Sequence, residues 1–162
     1  MHPSSEQPRT VSASRVEMTE IVFPNDANPL GNAMGGRVMH WIDICAAIAA
    51  GRHARRPVVT ASVDRLDFHR PVRVGGILVL LSSVNYVHRT SMEVGVKVWH
   101  EERSTGTRSH VASAYLTFVG LDPETGRPTA IPPLIAETEE DRRRFRQAEE
   151  RTRVRVAERK RE

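Results

Sequence analysis

The sequence predicts an α+β fold in which an antiparallel sheet curls round one long apolar helix. Two observations support this prediction: a single helical segment rich in Ala and Ile, and four later segments rich in β-branched residues with short links between them. Strands that follow one another through short links pair antiparallel, and one apolar helix beside them needs a sheet to cover it. The length of 162 residues suits one domain.

The two ends of the chain differ from its body. Residues 1–15 are rich in Ser, Pro, Gln and Arg without apolar periodicity, and we expect them to be disordered because they bury too little surface to offset ordering. We interpret residues 16–122 as the folded domain and residues 123–136 as a linker. Residues 137–162 alternate blocks of Glu and Arg, which predicts a charged surface helix supported by ion pairs three or four residues apart.

The body opens with a predicted strand, Val16 to Phe23, before a loop rich in Pro and Asn. The helix follows at Gly35 to His53, and its nearly continuous apolar character predicts burial on most sides. In the segment Met92 to His100, apolar residues alternate with other types, the period of a strand with one buried face. The four strands after the helix are predicted within residues 57–71, 77–87, 92–100 and 110–119.

Composition excludes several classes of protein. The single Cys45 cannot form an intramolecular disulfide, and no Cys/His spacing suits a structural zinc, so a disulfide-stapled secreted scaffold is excluded and a cytoplasmic setting is expected. We interpret Cys45 as a small buried apolar residue. No signal peptide or membrane span of about 20 apolar residues is evident, so we expect a soluble protein with no membrane partner. The net charge of +4 favours anionic partners.

Asp43 is the most informative single residue. It lies within the helix between Ile42 and Ile44, on a face that otherwise carries Met39 and alanines. An unpaired carboxylate in an apolar site costs several kcal/mol. Asp43 is therefore either a structural carboxylate bonded to backbone or to an Arg of the sheet, or a functional residue.

A loop with several glycines leads into this helix, and its residues of interest are Asn28, Gly31, Gly35 and Gly36. Such a loop can approach a ligand closely, and the free amides of the helix N-terminus can polarise a carbonyl or hold an oxyanion. Asp43 lies about 10 to 12 Å further along the helix axis, so a second copy is expected to bring its own Asp43 to this N-terminus. The alternative is that the glycines only permit close packing and that Asn28 is an ordinary turn residue.

Three blocks of sequence, in this order, resemble a known family: PNDANPLGNAMGGRVMHWIDICAAIAAGRH, VTASVDRLDFHRPVRVGG and HRTSMEVGVKVWHEE. Together they resemble the hotdog-fold acyl-CoA thioesterases of the bacterial YciA and mammalian brain acyl-CoA hydrolase type, over about residues 16–120. The resemblance implies a hotdog fold of five or six antiparallel strands round the helix. It also implies a homodimer with shared active sites at its interface, often assembled into a trimer of dimers.

The resemblance further implies which residues form the site. In the family, an Asn of the loop and an Asp of the helix carry catalysis, one from each subunit, and they match Asn28 and Asp43. The Gly-Gly at the helix start matches Gly35 and Gly36, whose amides would face the thioester oxygen. The candidates for binding CoA are His88, Arg89, Thr90, Ser91, Arg65 and Arg70. His88 replaces a Gly that is common in the family, which predicts a stiffer backbone there.

These residues lead to one main hypothesis, the hydrolysis of fatty acyl-CoA to free acid and CoA. Asp43 would act as a general base on water or as a nucleophile, and no cofactor is expected because CoA is part of the substrate. Exposed arginines, Arg73 among them, suit the CoA phosphates. The candidates for an acyl pocket, each of which could equally be plain core, are Met39, Trp41, Ile42 and Leu66.

Several alternatives compete with this hypothesis. A non-catalytic acyl-CoA sensor or scaffold with the same fold is the main one. Nucleic-acid binding through the C-terminal helix is disfavoured because Glu and Asp are interleaved with its arginines. Ser91 lacks the context of a nucleophilic serine. Asp64 and Asp67 have an odd spacing on a strand, which disfavours a metal site, and His40 is the helix's only candidate for the catalytic His of a hotdog dehydratase.

Overall fold

The structure is a computed structural model that describes residues 7–162. The elements follow one another as β1 (Arg9–Thr10), α1 (Val11–Ser14), β2 (Val16–Ile21), a 3-10 turn (Pro24–Asp26), α2 (Gly35–Ala54), β3 (Val58–Phe68), β4 (Ile77–His88), β5 (Ser91–Glu101), β6 (Arg108–Gly120), β7 (Leu134–Ile135) and α3 (Glu139–Arg159).

Five of the strands form one antiparallel sheet in the spatial order β2-β4-β5-β6-β3. Helix α2 packs against one face of this sheet, so the predicted hotdog arrangement is confirmed, with five strands. In β5 the side chains of Met92, Val94, Val96 and Val98 are all buried, as their alternation predicts. The inner face of the sheet and the helix together form the core.

Helix α2 has two different sides. The side toward the sheet is built largely from small residues, with Cys45, Ala46 and Ala49 fully buried, and these allow the sheet to approach closely. On the opposite side Ile44 and Ile48 remain 38% and 40% exposed. The prediction that the helix is enclosed on most sides is therefore wrong for a single chain, because one sheet covers only one side of a helix.

The N-terminal prediction needs a correction. Residues 1–6 lie outside the described residues, but the expected disorder is wrong for the segment from Arg9 to Ser14. There β1 pairs in parallel with β7, and the Ser14 hydroxyl donates to Val11 O and accepts from Val84 N at 2.9 Å. Contacts with distant parts of the chain supply this order, and local composition does not reveal them. Because β7 lies within residues 123–136, the predicted linker also contains a strand.

Helix α3 lies across the outer face of the sheet, opposite to α2. Its exposed side carries the predicted ion pairs, such as Arg142 with Glu139 and Arg153 with Glu150, so the expectation of a surface helix with such pairs is confirmed. Its inner side contacts the sheet through Phe145, which packs edge-on against Tyr86. Among residues 7–162, no helix is long and apolar enough to cross a membrane.

Candidate active site

Asp43 lies on the part of α2 that faces β3. Its carboxylate is half-buried, and Oδ1 accepts a hydrogen bond of 2.7 Å from Thr60 Oγ1 on β3. The pair borders a cleft of about 250 Å³ between the helix and the sheet, whose walls are formed by Met39, His40, Ile42, Asp43, Thr60, Val63, Leu66, Ala114 and Leu116. The structure thus places a carboxylate at the wall of an apolar cleft.

Three of the four residues predicted for an acyl pocket line this cleft, namely Met39, Ile42 and Leu66. Trp41 does not: only 7% of it is exposed, and it packs in the core instead. Each residue of a helix is rotated by about 100° from the one before it, and this rotation turns Trp41 away from the cleft and into the core. Sequence reasoning missed Thr60, because nothing local distinguishes a hydroxyl on a strand that faces a carboxylate from one that faces solvent.

Asp26 connects the loop before α2 to the first turn of the helix. Its Oδ2 accepts from Phe23 N at 2.9 Å, its Oδ1 pairs with Arg37 Nε at 3.0 Å, and its carbonyl accepts from Met34 N at 2.8 Å. These three contacts tie both ends of the loop together. Sequence reasoning also missed Asp26, which holds in place the loop that carries Asn28.

The side chain of Asn28 stabilises the loop through hydrogen bonds to its backbone. Its Oδ1 accepts hydrogen bonds from Leu30 N and Asn32 N at 3.0 and 3.1 Å. Because two backbone N–H groups require an oxygen, these bonds fix which end of the side-chain amide is Nδ2. Within residues 7–162 Nδ2 has no hydrogen-bond partner, so Asn28 keeps a side-chain donor for a ligand.

The helix N-terminus beyond this loop is open. Its N-cap residue, Met34, supplies no side-chain acceptor, and Gly35 and Gly36 are both exposed. A Cβ added at Gly36 would meet nothing within 4 Å. Within the described chain the backbone N–H groups of these two glycines have no acceptor, so they can bind a carbonyl oxygen or an oxyanion.

The predicted CoA-binding segment is the hairpin turn between β4 and β5. His88 pairs with Ser91 across the turn, and the carbonyls of Arg89 and Thr90 accept from Ile131 N and Gly120 N at 2.9 and 3.0 Å. The left-handed conformation falls on Arg89, with φ 55°, and not on His88. The replacement of the family's Gly by His88 therefore places no strain on the backbone.

Arg65 and Arg70 are not brought to the cleft. Arg65 pairs with Tyr115 in the register of β3 and β6, which places it on the outer face, where it bonds Asp67 at 2.6 Å. Arg70 is exposed beyond the end of β3. The hairpin residues are nearer, since Ser91 and Val59 both pair with Val119 of β6, which puts Ser91 two strands, or roughly 10 Å, from β3.

The described part of the chain supports neither a reactive cysteine nor a metal site. Cys45 is fully buried, and burial raises the pKa of its thiol, which confirms its interpretation as a packing residue. Residues 7–162 contain no group of three or more His, Cys, Asp or Glu side chains that could hold a metal ion. A larger cavity of about 620 Å³ lies between α3 and the outer face of the sheet, but none of the predicted site residues lines it.

With this geometry established, comparison with known proteins identifies the family. Residues 30–107 match the thioesterase superfamily. The chain is 44% identical over 133 residues to an uncharacterized acyl-CoA thioester hydrolase of Bacillus subtilis, covering 82% of this chain and 77% of the relative. It is 36% identical over 141 residues to the human cytosolic acyl coenzyme A thioester hydrolase, covering 86% of this chain but only 37% of that longer protein.

Solved structures give the same result. The acyl-CoA hydrolase of Staphylococcus aureus, in complex with butyryl coenzyme A, coenzyme A and coenzyme A disulfide, is 35% identical with a TM-score of 0.89, covering 94% of this chain and 93% of that chain. An apo-hexameric acyl-CoA thioesterase is 39% identical with a TM-score of 0.89, covering 94% and 97%. This chain belongs to the thioesterase superfamily of hotdog proteins, and its relatives support acyl-CoA thioester hydrolysis as its activity.

Three further structures of the S. aureus hydrolase carry single alanine substitutions. They are the mutants Asn28→Ala, in complex with coenzyme A, Asp43→Ala and Thr60→Ala. The present chain has an asparagine, an aspartate and a threonine at the same three numbers.

Proposed function

We propose that this chain hydrolyses fatty acyl-CoA to free acid and CoA, with Asp43 of one subunit acting on a thioester held at the helix N-terminus of another. The observation that carries the proposal is the bond between Thr60 and Asp43 at the wall of the apolar cleft. A carboxylate fixed beside an apolar channel is the arrangement that cleavage of an acyl thioester needs.

Chemistry at the carboxylate can follow either of two balanced routes. As a general base, Asp43 takes a proton from water, the hydroxide adds to the carbonyl carbon, and the C–S bond breaks to release the thiolate of CoA, which regains the proton. As a nucleophile, Asp43 displaces the thiolate to form a mixed anhydride, which water then hydrolyses. In both routes Thr60 holds Oδ1 and leaves Oδ2 to react.

The developing oxyanion needs donors aimed at it. The unpaired N–H groups of Gly35 and Gly36 and Nδ2 of Asn28 are the donors that the loop and helix offer together. Fixed donors of this kind stabilise a tetrahedral intermediate more than they stabilise the ground-state carbonyl, and this difference lowers the barrier. Asn28 therefore acts through Nδ2, while its Oδ1 keeps the loop in shape.

The separation within one chain argues for a shared site. Eight residues of helix separate Gly35 from Asp43, which corresponds to about 12 Å, too far for one thioester group to contact both. The exposed Ile44 and Ile48 of α2 and the unpaired edge of β3, with Val59 46% exposed, form an apolar surface suited to a second copy. The hexameric relative supports an oligomer, and we propose a homodimer assembled as a trimer of dimers.

CoA would lie along the hairpin end of the sheet, with its phosphates near exposed cations. His88 and Arg89 project from the hairpin, and both are exposed. Arg70 would contact the same CoA phosphates only if it came from another subunit or reached them across the protein surface. Arg65 already forms an ion pair with Asp67. We also propose a cytosolic location, supported by the mammalian cytosolic relative.

A turnover panel tests this function. Acetyl-, medium-chain, long-chain and aromatic CoA thioesters would be supplied to the wild-type chain and to Asp43→Ala, with release of free CoA thiol as the readout. The wild type should hydrolyse at least one fatty acyl-CoA, and Asp43→Ala should bind CoA normally but lose turnover. Thioester binding without thiol release by the wild type would instead identify the non-catalytic alternative.

A further inference from the structure

The residues of β3 that line the cleft are unusually spaced along the strand. In a regular strand, residues two apart share a face, yet Thr60, Val63 and Leu66, which are three apart, all line the cleft. They pair with Phe118, Leu116 and Ala114 of β6, the inward-facing residues of that strand. The lining of the cleft by β3 therefore requires a departure from regular strand geometry.

Two irregularities in the pairing of β3 with β6 supply this departure. The register shifts between Thr60 and Ser62 and again between Val63 and Arg65, so Ala61 and Asp64 are extra residues without partners. A bulge of this kind inserts one residue and changes the face on which the following side chains lie. Without the bulge at Asp64, a strand that keeps Val63 in the cleft would turn Leu66 to the outer face.

The bulge residue Asp64 is held from the outer face by the C-terminal helix. Its Oδ2 accepts from Arg155 Nη1 at 2.8 Å and from Thr117 Oγ1 at 3.2 Å, and its Oδ1 accepts from Ser62 Oγ at 3.2 Å. The side chains of Arg155 and Asp64 are only 17% and 18% exposed. Water therefore screens this ion pair less than it screens the pairs on the solvent side of α3.

A second ion pair holds α3 in register for this contact. Arg151, one turn before Arg155, donates two hydrogen bonds, of 3.0 and 2.7 Å, to Glu93, whose side chain is fully buried. The same guanidinium lies 3.8 Å above the Tyr115 ring. Since β3 is an edge strand with β6 as its sole neighbour in the described chain, α3 is the element outside the sheet that holds the bulge, in addition to Thr117 of β6 and Ser62 of β3 itself.

We propose that Arg155 and Asp64 are positioning residues that set the acyl-chain selectivity of the cleft, by fixing the bulge that keeps Val63 and Leu66 together on its wall. This inference rests on the proposed function. Thr60 precedes both irregularities, so loss of the Arg155 contact leaves the bond between Thr60 and Asp43 in place and changes the contacts along the acyl chain.

The test compares Arg155→Gln and Asp64→Asn with Arg153→Gln, a matched control on the same helix that loses only its surface pair with Glu150. The value of kcat/KM would be measured for acetyl-CoA and for decanoyl-CoA, with thermal unfolding as a check on folding. We expect the first two variants to lose roughly tenfold on decanoyl-CoA and about twofold or less on acetyl-CoA, because the affected contacts are made by the acyl chain. Arg153→Gln should match the wild type on both substrates, and Arg155→Lys should recover part of the loss.

An equal loss on both substrates, or no loss on either, would overturn the inference, since the first is what general loosening of the fold produces. Val63→Ala provides a second measurement that leaves α3 untouched, and it should reproduce the selective loss on decanoyl-CoA. A wild-type chain that hydrolyses none of the thioesters in the turnover panel would contradict the proposed function. A wild-type chain that is active, but whose selectivity stays the same in the Arg155 variants, would contradict only this inference.

Discussion

Thr60 Oγ1 donates a hydrogen bond of 2.7 Å to Asp43 Oδ1 and so joins the central helix to the edge strand of the sheet. A carboxylate on a helix can rotate about two side-chain torsions, and this bond restricts it to one orientation. For the proposed role of Asp43, the cost of arranging this carboxylate is then met on folding rather than during each turnover. The same bond leaves the second carboxylate oxygen, Oδ2, without a hydrogen bond to Thr60.

Replacing Thr60 with Val should test this bond with little change in volume. Hydrogen bonds to charged groups contribute about 1.5–3 kcal/mol, so kcat should fall roughly 10- to 100-fold if the bond is worth that much at the transition state. Thr60→Ser keeps the hydroxyl and is the control, expected within a few-fold of the wild type. Equal kinetics for the Val and Ser variants would show that the bond plays no part in turnover.

A proline at Gly35 removes one amide proton from the helix N-terminus and little else. Proline is favoured at the first helical position, and Met34 before it already has the extended conformation that a following proline requires. Gly35→Pro should therefore keep the wild-type melting temperature while kcat falls about 10²- to 10³-fold, the usual cost of losing an oxyanion donor. Gly35→Ala, which keeps the N–H and meets only ordinary contact with Phe68, should remain active.

Ile48 lies on the exposed side of α2, within the surface proposed for a second copy. Ile48→Asp would bury a charge there, so we expect the oligomer to dissociate and thioester hydrolysis to disappear with it. Sedimentation velocity and thiol release would be measured together. Val154→Asp, at a comparably exposed residue of α3, should leave both unchanged, and an active monomer of Ile48→Asp would refute the shared site.

His53 should make the fold sensitive to acid. It is fully buried, its Nε2 bonds Pro132 O at 2.7 Å, and its buried Nδ1 has no partner within residues 7–162. Burial lowers its pKa in the folded state, with a further contribution from nearby Arg9. The unfolded chain therefore binds a proton more readily, and the stabilisation, complete above about pH 6.5, is lost as pH falls below that value.

The measurement is the melting temperature of the wild type and of His53→Gln between pH 8 and pH 5. Glutamine can still donate to Pro132 O but does not titrate, so its melting temperature should fall less on acidification. The pKa of His110 is lowered as well, mainly by burial, and it remains in both proteins, so only the difference between the two curves reports on His53. Parallel curves would contradict the assignment.

The sequence could predict the fold because each element has a clear local period. The alternation in β5 and the density of small apolar residues in α2 each point to one structure. The order in Arg9–Ser14 could not be predicted, since it depends on pairing with β7, more than 120 positions away along the chain. Local composition carries no information about such a partner.

The candidate site shows the same contrast between residues that local sequence predicts and residues that depend on pairing with distant segments. Asp43 is predicted as a site residue from the sequence because a carboxylate on an apolar helix face stands out locally, whereas Asn28 is predicted only through the resemblance to the family. Thr60 could not be found because nothing local shows which hydroxyl of a strand faces a carboxylate. Further along β3, two shifts of register place Val63 and Leu66 together on the cleft wall and Arg65 on the outer face. Those shifts belong to the pairing of β3 with β6, so counting alternate residues along β3 cannot give them.

Mixed oligomers test the central claim, that Asp43 and the helix N-terminus serve one thioester from different subunits. Chains with Asp43→Ala would be combined with chains carrying both Asn28→Ala and Gly35→Pro, each set inactive or nearly so by itself, with separate affinity tags to verify subunit exchange. We expect mixing to restore thioester hydrolysis, because each mixed dimer then contains one intact site. Verified mixed dimers with no more activity than their parents would contradict the account.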